Sequence, residues 1–178
     1  MTTSDEELAL AAAGGDAAAF SRLLERHYDR LFALCFRLTG MRAEAEDLTQ
    51  DLCAALPAKL VRFRGDARFA TWLYRVAVNA AHDRRRRAAA HAKAAVGWGD
   101  WELDRRAAEA EAADQVQWLK QAMRALPCDL RDTLALVLDE LTHAEAGQVL
   151  GVSEGTISWR VYEAKRILRT LRETEDQP

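Results

Sequence analysis

Proline occupies only three of the 178 positions (57, 127 and 178), and nowhere do β-branched and polar residues alternate over the length of a strand. Proline breaks helices and a strand shows a period of two, so long proline-free stretches with apolar residues three and four apart point to an all-α chain. Between Asp16 and Gly40 the residues Phe20, Leu23, Leu24, His27, Tyr28, Leu31, Phe32, Leu34 and Cys35 recur at that spacing. They predict one long amphipathic helix that begins after Asp16 and ends near Gly40. A shorter helix over about 4–12 precedes it, and one over about 43–56 follows, burying Ala45, Leu48, Leu52 and Leu56. Pro57 is expected to end that third helix. A fourth, over about 67–87, sets Phe69, Trp72, Leu73, Val76, Ala77 and Ala80 on an apolar side and Thr71, Arg75, Asn79, His82 and Arg86 on a polar stripe.

Beyond residue 88 the pattern dissolves into an Ala-rich, Gly-interrupted, charge-switching stretch, which reads as a linker. The chain therefore divides into a first helical domain over 1–88, a linker over 89–113 and a second helical domain over 114–178. Within the second, Pro127 separates an apolar stretch ending at Leu126 from another through Leu130, Leu134, Val137 and Leu141. Thr142 and Glu145 have capping-box spacing and open a short helix over 143–150, Gly151-Val152-Ser153 forms a tight turn, and Ser153 caps a helix over about 154–172. Two helices joined by such a turn have helix-turn-helix spacing.

Net charge is only −3, but residues 61–95 hold nine basic and two acidic groups while the flanking segments are acidic. A local basic stripe on a mildly acidic chain suits a protein that meets nucleic acid on one face, because phosphate attraction is screened within about 8–10 Å. Cys35, Cys53 and Cys128 are odd in number, widely spaced and form no CxxC pair, so they predict reduced thiols in or near a core. Walker, GxGxxG, GxSxG and HExxH patterns are missing, and no histidine sits in a ligand set, so neither an enzyme, a cofactor nor a metal is expected. The acidic start and the lack of a long apolar run predict a cytoplasmic protein without membrane contact of its own.

Two kinds of DNA contact follow from the residues. On the long helix after Ser153, Glu154, Ser158, Trp159, Tyr162 and Lys165 are predicted to face outward where a major groove can be read, with Arg160, Arg166, Arg169 and Arg172 for phosphates. In the first domain, Phe63 and Phe69 flank the turn Arg64-Gly65-Asp66, beside Asn79 and the run Arg84 to Arg87. An unpaired base could stack there, be read on its edge and have its backbone neutralised, and the alternative is that both rings close the core under the loop.

Asp47-Leu48-Thr49-Gln50-Asp51, Phe63-Arg64-Gly65-Asp66, Thr71 to Asn79, Leu126-Pro127 and Gly151 to Ile157, in that order and spacing, closely resemble the extracytoplasmic-function (ECF, group IV) sigma factors of bacterial RNA polymerase. The resemblance spans about residues 17–88 (region 2) and 114–172 (region 4). It implies a promoter-specificity subunit whose partners are core RNA polymerase, promoter DNA and an anti-sigma factor. By that likeness Asp47, Gln50 and Asp51 would dock on the β′ clamp helices. Phe63, Arg64, Gly65, Asp66, Arg68, Phe69, Arg75, Asn79, Arg84, Arg85 and Arg86 would serve the −10 element and a flipped non-template base. Ser153, Gly155, Thr156, Ser158, Trp159, Arg160, Tyr162 and Lys165 would serve the −35 duplex, and the acidic linker residues Asp100, Glu102 and Asp104 would run toward the active-centre and RNA-exit channels. The rival readings are a stand-alone helix-turn-helix regulator and a sigma-like decoy that binds regulators without DNA.

Overall fold

The computed structural model describes residues 3–94 and 121–175. Four helices build the first unit: α1 (Asp5–Ala13), α2 (Ala17–Thr39), α3 (Arg42–Leu60) and α4 (Phe69–Ala94). The first two starts follow local rules. Ser4 and Glu7 form a reciprocal capping box at α1, and Asp16 accepts the amide hydrogens of Ala18 and Ala19 at α2. Leucines at three- and four-residue spacing then do the packing: Leu23, Leu31, Leu34 and Leu38 of α2 meet Leu48, Leu52, Leu56 and Leu60 of α3 and Leu73 and Ala77 of α4, all buried.

Two helices outrun the expectation. Pro57 lies inside α3, which continues to Leu60. Its ring removes one backbone donor, but Leu56 and Leu60 are 3% and 0% exposed, and that burial carries the helix through the defect. The fourth helix extends to Ala94, where a linker was expected from 89, because Ala-Ala-Ala-His-Ala-Lys-Ala has high intrinsic helix propensity. The rest of the expected linker, with Asp100, Glu102 and Asp104, lies outside the described residues.

In the second unit residues 121–125 are helical, followed by α5 (Cys128–Val137), α6 (His143–Leu150) and α7 (Glu154–Glu175). No strand occurs among the described residues. Met123, Leu126, Leu130, Leu134 and Ala164 make a small core of this unit. Leu136, Ala146, Val149, Ile157 and Val161 belong instead to the same apolar cluster as the leucines of α2, α3 and α4. The units are thus packed face to face, with α6 against α4 and α5 against α2.

Candidate nucleic-acid interface

The turn between α3 and α4 has Gly65 at its apex with φ +77°, a left-handed conformation that glycine adopts without strain. Arg64, Asp66 and Arg68 are exposed around it, and Asn79 is exposed on α4 two to three turns further on. Phe63 and Phe69 are only 5% and 1% exposed. Their ring centroids lie 5.8 Å apart, edge to face, and Phe63 meets Trp72 in the same way at 5.5 Å. The two rings therefore close the core under the loop, the alternative the residues left open, and neither of them offers a surface platform for a stacked base. Thr71, expected on the polar stripe, is buried as well.

Most of the basic residues of α4 face carboxylates or carbonyls. Arg85 donates two hydrogen bonds to Asp132 at 3.0 and 2.7 Å, and His82 Nε2 is 2.7 Å from the same carboxylate. Asp132 is 2% exposed, and a carboxylate so buried needs this pairing. Burial alone would lower the pKa of Arg85, but the bonds to Asp132 outweigh it and hold the guanidinium more firmly charged. Arg75 donates to the carbonyl of Gln148 at 2.7 Å, and Arg68 reaches Glu145 at 3.3 Å. Nearby, Asp139 accepts from Tyr74 and Arg37, and Arg30 lies 3.5 Å from it. Burial and then the bond to Asp139 push the Tyr74 phenol well above its usual range. Arg84 turns the other way, 3.0 Å from Asp47 and 3.6 Å from Asp51, and Arg86 pairs with Asp83. Of the basic residues predicted for the −10 contact, Arg68, Arg75 and Arg85 thus face the second unit, and among the described residues only Arg64 is exposed with neither an ion pair nor a side-chain hydrogen bond.

Tyr74, Asp132 and Asp139 were missed by the sequence reading. The two aspartates stand seven residues apart, two helical turns, in an otherwise apolar stretch, and that same-face spacing was the available signal.

The helix-turn-helix follows its local chemistry. Thr142 and Glu145 exchange capping bonds, and the backbone amide and then the hydroxyl of Thr142 hold the Glu145 carboxyl below the usual carboxylate range. Gly151 closes α6 at φ +68°, and Ser153 accepts from the amide of Thr156 at 3.1 Å. Ile157 and Ala164 are fully buried, so the opposite face of α7 is outward: Ser158 and Lys165 are exposed, and Trp159 and Tyr162 are 58% and 66% exposed. Gly155 is exposed, Thr156 is half-buried, and Ser158 bonds His143 across the motif at 2.9 Å. Arg160 is drawn inward, with 19% of its side chain exposed and Asp129 at 3.5 Å. Arg166 is tied to Glu163 at 2.9 Å.

On α3, Asp47, Gln50 and Asp51 are all exposed, and their spacing of three and four puts them on one face. Cys35 is buried, with its thiol pushed up to about 11 by desolvation, Cys53 is half-buried, and Cys128 is exposed, contrary to its expected place in or near a core.

A bundle with an exposed polar loop, joined to a helix-turn-helix that presents an aromatic and basic helix face, is the architecture of a two-unit DNA-binding protein. Family models agree: Sigma-70 region 2 matches residues 23–91 and Sigma-70, region 4 matches residues 116–168. The chain is 36% identical over 170 residues to the ECF RNA polymerase sigma factor SigM of Mycobacterium tuberculosis, covering 94% of this chain and 84% of that one. To the ECF RNA polymerase sigma factor SigW of Bacillus subtilis it is 28% identical over 176 residues, covering 87% and 89%. The structure of CnrH in complex with the cytosolic domain of CnrY superposes with a TM-score of 0.72 at 26% identity, over 97% of this chain and 99% of that one. A sigma factor RpoE bound to the anti-sigma factor NepR from Bartonella quintana shares the fold, with a TM-score of 0.71 at 22% identity, over 86% and 96%. The chain belongs to the ECF sigma factors of RNA polymerase.

Proposed function

We propose that this sigma factor directs core RNA polymerase to promoters by reading the −35 element as duplex through α7 and by holding an unpaired −10 base at the 63–69 loop and Asn79. The observation that carries the reading is the exposed side of α7, where Ser158, Trp159, Tyr162 and Lys165 stand outward behind a fully buried Ile157. Polar and aromatic edges can meet bases there, with Lys165 a better candidate for phosphate than the inward Arg160.

For the −10 element the chemistry is edge recognition. Phe63 and Phe69 are buried, so capture would rest on Arg64, Asp66, the backbone around Gly65 and the Asn79 amide. Unstacking and unpairing one base costs a few kcal/mol, and a protein lowers that cost only by binding the open strand better than the closed one. Asp47, Gln50 and Asp51 would supply the docking face for the β′ clamp helices, with 1–88, 89–113 and 114–178 acting as region 2, linker and region 4. Work as a specificity subunit of the polymerase, without catalysis of its own, is the role this implies, in the cytoplasm. No helix among the described residues is long and apolar enough to cross a membrane. The complexes formed by the two structural relatives suggest an anti-sigma factor as a further partner.

The test is transcription from a promoter library with core polymerase, with and without the protein. Protein-dependent start sites sharing −35 and −10 sequences are expected, and a library without any such start refutes the reading. Asn79→Ala should alter the preferred −10 base while core affinity stays the same. An identical preference would remove Asn79 from the site.

A further inference from the structure

The loop at 61–68 is held from behind by α1, which lies outside the Sigma-70 region 2 match. The first residue of α4 is Phe69, so its amide is one of the donors a helix leaves unsatisfied at its start. The residue before it is Arg68, whose side chain has donors only and cannot cap. The acceptor comes instead from another helix: Glu6 Oε1 takes the Phe69 amide hydrogen at 3.0 Å, across 63 residues of sequence. A carboxylate at that place also meets the positive end of the α4 dipole.

Two bonds from Asp5 fix α1 in this position, and the second leads on to the start of α4. Asp5 bonds Arg26 at 2.7 Å and His27 at 2.8 Å, and the His27 ring meets the edge of Phe69 at 5.0 Å. Burial would raise the Asp5 pKa, but the bonds from Arg26 and His27 outweigh it and hold the carboxyl below its usual range. One turn after Glu6, on the same face, Leu10 lies 3.9 Å from where a Cβ on Gly65 would stand. Helix α1 therefore bonds the exit of the loop and lies close beside its apex.

We propose that α1 is a strut that sets the pose of the 61–68 loop, with Glu6 a positioning residue for the choice of −10 base. The inference rests on the −10 reading above and adds to it the element that holds the loop. With the Glu6 acceptor gone, the first turn of α4 frays, Arg68 and the loop sample more poses, and the difference in affinity between bases narrows while the docking face on α3 is untouched.

The full-length chain with core polymerase, assayed on promoters varied at each −10 position, tests this with Glu6→Leu, Glu6→Gln and Asn79→Ala side by side. Glu6→Leu should narrow the ratio between the best base and its competitors by about 2- to 10-fold, the range of one net hydrogen bond, at unchanged core affinity. Glu6→Gln, which keeps an acceptor oxygen, should restore most of the wild-type profile. A wild-type profile in Glu6→Leu overturns the strut, as does a parallel loss of core binding and of transcription from every promoter. If Asn79→Ala shifts the profile and Glu6→Leu does not, only the strut fails. If Asn79→Ala is also silent, the −10 reading fails with it.

Discussion

Gly147 has no room for a side chain, since a Cβ there would stand 2.7 Å from the carbonyl oxygen of Val152, a backbone atom that cannot swing aside. Gly147→Ala should therefore force α6 away from the turn and destabilise the chain by about 1–3 kcal/mol, the usual range for overpacking. Urea unfolding with an unchanged m-value is the measurement that checks it. Gly147 stands four residues before Gly151, so the close approach is set within the helix-turn-helix itself. The Thr142–Glu145 box was legible for the same reason, as both ends of each bond lie within three residues. The fate of Phe63 and Phe69 was not. An aromatic beside a turn can face solvent or core, and only the presence of Trp72 and His27 behind these rings decides for the core.

At the scale of elements, periodicity located the helices well and their ends less well. Leucine spacing is a repeated signal along α2 and α3, whereas an end depends on a single local event that burial can override. Pro57 is the clear instance. It is exposed, and it leaves the Cys53 carbonyl without its helical donor while its neighbours Leu56 and Leu60 hold the helix together. Pro57→Ala should restore that bond and raise stability by about 1–2 kcal/mol, the gain in helix geometry reduced by the freer unfolded chain. Thermal melting reads the difference, and an unchanged or lower Tm would mean that α3 does not accommodate the ring at a cost. Helix α4 outran its expected end because alanine-rich sequence favours helix wherever no breaker intervenes.

In the whole molecule the two units are clasped by opposite charge. Asp132 and Asp139 from the second unit bind Arg85, His82, Tyr74 and Arg37 of the first, while Arg75 and Arg68 reach Gln148 and Glu145. A guanidinium held by two bonds to a buried carboxylate cannot at the same time neutralise a phosphate, so a promoter contact by Arg85 requires the units to part. Asp132→Ala should weaken the clasp by about 1.5–3 kcal/mol, the range for charge-assisted bonds. Small-angle scattering of the free protein should then show a larger radius of gyration, and a curve identical to wild type would mean that apolar packing alone holds the units together.

The amino-acid order by itself determined the all-α class, the helix-turn-helix with its Thr142 and Ser153 caps, and the family motifs, because each depends on residues within a few positions of one another. Tertiary structure alone decided which side chains those motifs leave available. Arg85 meets Asp132 across 47 residues, Glu6 meets Phe69 across 63, and Arg30 meets Asp139 across 109. A period of 3.6 tells which face of a helix is apolar, but not which other helix will cover it, and the pairing of surfaces so far apart in sequence is settled only when burial and charge are satisfied together.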